Sequence, residues 1–166
     1  MSVQSKRALG RFVIFGLVGV LMEVFFTAAV GLWGGDWNMH GRSSPWMVPD
    51  YGLLGLLLMP IARPMLRRGI PLALRAGVYM IGIFIAEFVS GLVFTWCGLT
   101  IWDYSDLPWN LCGQITATYI PLWYGLGLIV ERLYRGVDMV SLALVRGVTV
   151  EQIEAWGRGG AGGVDA

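Results

Sequence analysis

FVIFGLVGVLMEVFFTAAVGLW, residues 12–33, is an unbroken apolar run except for one carboxylate, Glu23. About 20 such residues suffice to carry a helix across the hydrocarbon layer of a bilayer. The surrounding chain fits that environment. Of 166 residues, 56% are hydrophobic and only 14% charged, with a mean hydropathy of +0.65. A soluble domain carries about 25% charged residues, and a soluble fold of this composition would leave wide apolar patches against water. The expectation is an all-α integral membrane protein.

Four spans are predicted, over residues 12–33, 46–66, 72–99 and 111–130, forming a four-helix transmembrane bundle within residues 1–136. The second, centred on YGLLGLLLMPIA, is the weakest. Pro60 there removes an internal hydrogen bond, so a tilt or a slight break is expected. Lys6, Arg7 and Arg11 ahead of the first run resemble the start of a signal peptide. No small-x-small cleavage site follows a short core, so a retained first span is expected.

Charge sets the orientation. Lys6, Arg7 and Arg11, then Arg63, Arg67, Arg68 and Arg75, then Glu131-Arg132-Leu133-Tyr134-Arg135 all fall on one side of the four spans. The opposite links hold only Arg42 among several aspartates. Basic residues stay inside, which places both termini in the cytoplasm of a multi-pass inner-membrane protein. Arg75 is read as snorkelling toward headgroups, and Glu131 as an interfacial anchor or surface ion pair. After Gly136, Asp138 and Arg146 interrupt a short apolar stretch, so residues 137–156 read as an interfacial or cytoplasmic helix. Thr149 and Gln152 are spaced as a capping box. Residues 157–166, rich in glycine, are expected to be disordered.

The two halves echo one another. Glu23 precedes Pro45-Trp46 by 22 residues, and Glu87 precedes Pro108-Trp109 by 21. This points to two repeated parallel hairpins with both glutamates at one depth. The alternative is chance, since tryptophan favours interfaces and proline favours loops.

A carboxylate at mid-membrane costs about 2.5–3.5 kcal/mol even on mild scales, so Glu23 and Glu87 must be protonated, paired or turned toward a polar space. Gly16, Gly19, Glu23 and Thr27 share one helical stripe. Tyr79, Ile83, Glu87 and Gly91 share another. Asn110, Gln114, Thr118, Pro121 and Gly125, stepping by three or four, read as a polar line down the fourth span. With Arg42 and Ser43 from one outer link and Asp103 and Tyr104 from the other, these faces describe a polar interior opening outward. The competing reading makes the same groups packing glue, bonded between helices for about 0.6–2 kcal/mol each.

Other chemistry has little support. No G-x-x-x-x-G-K-[ST], G-x-S-x-G, H-E-x-x-H or dinucleotide motif occurs, so no cofactor and no metal are implied, and ATP is not hydrolysed here in the manner of a P-loop protein. His40 alone, among scattered aspartates, is a poor metal signal. No basic stripe with interleaved aromatics tracks nucleic acid. Cys97 and Cys112 are close enough to the outer ends of neighbouring spans for a disulfide, though buried thiols would look the same.

MEVFFTAA, GRSSPWMVPDYG, AEFVSGLVF and WDYSDLPWNLCGQITATYIPLWYGLGLIVERLY occur in that order, over about residues 12–135. Together they resemble the transmembrane protein 229 family and its bacterial group, the CmpB-like ABC-transporter type IV proteins. The resemblance implies a small protein of about four spans. By position it points to Glu23, Gly41 to Ser44, Tyr51, Gly52, Glu87, Trp102 to Tyr104, Asn110, Gly113, Tyr119 and Trp123. The tail beyond Gly136 departs from the pattern, and no activity comes with the resemblance.

Three functions stay open. The first is a transport-related membrane component, permease-like, with a polar pocket for a small or lipid-like ligand lined by Glu23, Thr27, Arg42, Ser43, Tyr51, Glu87, Asp103, Tyr104, Asn110, Gln114 and Thr118. The second is a membrane-embedded enzyme using Glu23 or Glu87 as base on a lipid. The third is a non-catalytic subunit or scaffold. Membrane lipids and a second copy or a membrane-protein partner are the expected partners.

Overall fold

A computed structural model describes residues 1–152, 154 and 155. The tail expected to be disordered, 157–166, lies outside the described residues. The chain is mostly helical: α1 (Val3–Trp33), α2 (Met47–Arg67), α3 (Leu72–Trp96) and α4 (Ile120–Arg146), with a small hairpin of β1 (Asn110–Leu111) and β2 (Ile115–Thr116) before α4. Two helices, α1 and α3, are long and apolar enough to cross a membrane. At 1.5 Å per residue, the 31 residues of α1 exceed the roughly 30 Å of a hydrocarbon core.

Each half is a helical hairpin. α1 packs along α2, and α3 along α4; α1 and α4 join the halves, while α2 and α3 barely touch. The helices therefore stand in the order α2–α1–α4–α3, with a gap between the outer two. The α1–α2 contact is close because Gly19 has no side chain. A Cβ there would lie 2.2 Å from the Tyr51 ring. The core gathers Phe15, Leu58, Ala62, Tyr79, Val130, Tyr134 and Val137.

Two ion-pair clusters, a buried one at Glu131 and a part-buried one at Asp138, brace the end that carries the N-terminus and the α2–α3 turn. Asp138 accepts from Arg7 Nε at 2.7 Å and from Arg11 Nη1 at 2.8 Å. Glu131 accepts from Arg75 Nε at 2.7 Å and Nη2 at 3.0 Å, and from the Tyr79 hydroxyl at 2.5 Å. The ring of Tyr134, between the two acids on α4, lies under the Arg11 guanidinium at 5.4 Å. Along α4, Glu131, Tyr134 and Asp138 step by three and four residues, so one face meets both α1 and α3.

Several expectations need correction. Glu131 is not an interfacial anchor but 7% exposed, and Arg75 turns inward to it instead of snorkelling; the partners stand 56 residues apart, beyond any local pattern. The helix expected to begin anew at 137 is the continuation of α4. Asp138 does not interrupt it, because arginines from α1 compensate its charge. α2 runs through Pro60 and Pro64 as one helix. The fourth helix starts nine residues later than predicted, at Ile120, with Pro121 in its first turn; proline is favoured there because the first N–H groups have no partner within the helix. The Asn110, Gln114 and Thr118 line is accordingly not a helical face. Cys112 and Gly113 both have positive φ (54° and 68°) and the Gln114 amide bonds the Leu111 carbonyl, the geometry of a primed hairpin turn. Cys97 and Cys112 are free and exposed. The capping box at the C-terminal side is present: Thr149 N bonds Gln152 Oε1 at 3.0 Å, and Gln152 N bonds Thr149 Oγ1 at 3.4 Å.

Candidate functional site

The helices and the two long links between them line a cavity of about 450 Å³. Glu23 on α1 and Glu87 on α3 both line it, as do Thr27, Arg42, Ser43, Tyr51 and Tyr104. Glu23 Oε2 accepts from the Ser43 hydroxyl at 2.7 Å and from the Tyr51 hydroxyl at 3.0 Å. Glu87 Oε1 accepts from the Tyr104 hydroxyl at 3.0 Å. In each half, a residue of the link between its two helices folds back onto the mid-helix glutamate. Trp123 Nε1 lies beside the Glu87 carboxylate, yet neither it nor Glu87 Oε2 completes a hydrogen bond although both atoms are buried.

The first link is pinned over the cavity by Thr27. Its hydroxyl accepts from Arg42 N at 2.7 Å and lies 3.0 Å from the Arg42 carbonyl. Arg42 is thereby held at the rim by its backbone, with an exposed side chain. Further out, Asp36 accepts from the His40 ring and backbone, which holds its carboxyl below the ordinary carboxylate range. That bond gives the only histidine a local task. No cluster of three or more metal-ligating side chains occurs among the described residues.

The second link is built by the residues that do not reach the cavity. Asp103 accepts from the Ser105 amide and hydroxyl, which lowers its carboxyl pKa. Asn110 donates to the Ser105 and Leu107 carbonyls at 3.1 and 2.8 Å and accepts from Gly113 N. Gln114 reaches Thr95 and Cys112. Thr118 meets the Thr116 hydroxyl at 3.1 Å in the 3-10 turn Ala117–Tyr119 before α4. These four candidates shape the link that carries Tyr104 and do not line the cavity.

Aromatic rings form one wall. Tyr119 lies edge-on to Tyr104 at 5.3 Å, to Phe26 at 5.9 Å and to Trp123 at 6.4 Å. Trp102 also lines the cavity and donates to the Gln114 carbonyl. Tyr119 and Trp123 came only from the family resemblance, because aromatics in apolar segments carry no signal of their own. Arg11 and Arg75 pair with Asp138 and Glu131, and no local spacing marks them, because those partners stand 127 and 56 residues away.

The class so defined is a mostly helical protein with two membrane-length apolar helices and an acid-lined cavity between its halves. The chain belongs to the family described as "putative ABC-transporter type IV", whose model matches residues 11–153. No solved structure matches it.

Proposed function

We propose that the chain is a transport-related membrane component of four spans, with both termini cytoplasmic, whose cavity takes a small or lipid-like ligand. One observation carries this reading: the two mid-helix glutamates line a single cavity instead of being sealed in separate dry contacts. The family's description as transporter-related agrees with it. The fourth helix, α4, runs on to Arg146.

Surface chemistry supports the membrane setting. Val13, Leu17, Leu21 and Phe25 form an exposed apolar row on α1, and Ile81, Ile85, Val89 and Leu92 lie exposed on α3. Water would penalise both faces, and lipid would not. Trp33, Trp37, Trp46, Trp96 and Trp109 are all exposed near the link end, in the manner of an interfacial aromatic belt. Four spans are few for independent transport, so a second copy or a membrane-protein partner belongs to this reading.

Two measurements test it. In vesicles from cells expressing the protein, screened with labelled amphiphiles and metabolites, Glu23→Gln combined with Glu87→Gln is expected to abolish the flux that the unmodified protein supports. Equal flux in the double variant would remove the cavity from the mechanism. For orientation, a membrane-impermeant maleimide is expected to label Cys97 and Cys112 in right-side-out vesicles without prior lysis. Labelling confined to inverted vesicles would reverse the topology.

A further inference from the structure

Four of the buried and half-buried acids among the described residues fall into two kinds. At the terminus-bearing end, Asp138 and Glu131 are met by arginines. In the cavity, Glu23 and Glu87 receive only neutral hydroxyls, from Ser43, Tyr51 and Tyr104, and neither forms an ion pair among the described residues. Arg42 shares the cavity but bonds through its backbone to Thr27. One Glu87 oxygen and the Trp123 indole N–H remain buried with no completed bond. Two acids facing one low-dielectric space call either for protons or for a cation brought from outside.

The walls favour the cation. The Tyr104, Tyr119 and Trp123 rings line the same space as both carboxylates, and an ammonium group is attracted to aromatic faces as well as to carboxylates. A smaller cavity of about 140 Å³ continues from this one between α2 and α3, sharing Tyr51, Leu54 and Glu87. Beyond them its lining is mostly aliphatic, with Leu57, Ile61 and Val78, and it also holds the Asp50 carboxylate and the Tyr79 ring. Because α2 and α3 barely touch, an apolar chain has a way out sideways.

We infer that the cavity's ligand is an amphiphile with an ammonium head, whose cation sits between Glu23 and Glu87 against the aromatic wall and whose apolar tail leaves between α2 and α3. This rests on the cavity being a ligand site. Two sources share that chemistry, a lipophilic amine and a zwitterionic phospholipid, and Arg42 at the rim separates them because only the second brings a phosphate.

The test is a headgroup ranking on the whole protein in neutral maltoside micelles, read by fluorescence of its tryptophans, with Trp102 and Trp123 in the cavity wall. The probes are dodecyltrimethylammonium, dodecylphosphocholine and dodecanoate. The ammonium probe is expected to bind at least roughly tenfold more tightly than dodecanoate, a ratio within reach of one well-placed charge pair. Glu87→Gln should erase that preference. Loss of phosphocholine binding alone in Arg42→Ala identifies the phospholipid source, and no loss identifies the amine. Equal binding of all three heads overturns the cation while leaving the cavity as a ligand site. No binding of any probe overturns both. The ranking on the unmodified protein does not depend on any variant folding.

Discussion

Glu131→Ala is expected to cost about 3–5 kcal/mol of stability, as thermal unfolding in detergent micelles will show. The figure is that for breaking a buried ion pair from one side, which leaves the other charge uncompensated. Arg75 and Glu131 keep side-chain exposures of only 13% and 9%, so water compensates little. The change also strips the Tyr79 hydroxyl of its acceptor at 2.5 Å. Two comparisons make the result interpretable. Adding Arg75→Met and Tyr79→Phe should recover most of the loss, because an apolar replacement of a whole buried pair is often neutral. Asp138→Ala should cost less than Glu131→Ala, since Arg7, one of its partners, is 34% exposed and solvent screens the pair. If both single variants melted with the unmodified protein, the clusters would not be holding α4 between α1 and α3.

The helices α1 and α3 were legible from composition alone, because a long apolar run has few other uses. The start of α4 was not. NLCGQITATY reads as the beginning of a span when hydropathy is averaged, yet Cys112 and Gly113 turn the chain with positive φ. The marker passed over was Pro121, which begins helices more readily than it sits inside them. Glu23 and Glu87 were found because a lone acid in an apolar segment is conspicuous. Glu131 reads as interfacial because Arg132 and Arg135 follow it, and Asp138 reads as a break because it interrupts a short apolar stretch. Their partners are on α1 and α3, far away in sequence. Asn110 and Gln114, read as pocket residues, instead bond the backbone of a link.

Gly41→Ala joins the fold to the site. A Cβ on Gly41 would lie 2.2 Å from the Val24 carbonyl oxygen and 2.7 Å from Val24 Cγ1. The carbonyl belongs to α1 and cannot swing aside as a flexible side chain could, so the link itself must lift. Its next residues are those that close the cavity. Arg42 would leave the Thr27 hydroxyl, now 2.7 Å from its amide, and Ser43 would lose its 2.7 Å bond to Glu23. Overpacking of this kind costs about 1–3 kcal/mol, and the loosened rim should also weaken whatever the cavity holds. Gly77→Ala in α3 is the matched control. Nothing lies within 4 Å of its added carbon, and alanine is the better helix former by roughly 0.5–1 kcal/mol, so that variant should unfold no earlier than the unmodified protein. A methyl group at residue 41 that proved as harmless as one at residue 77 would mean that the link does not sit down on α1, and that Ser43 reaches Glu23 without being held there.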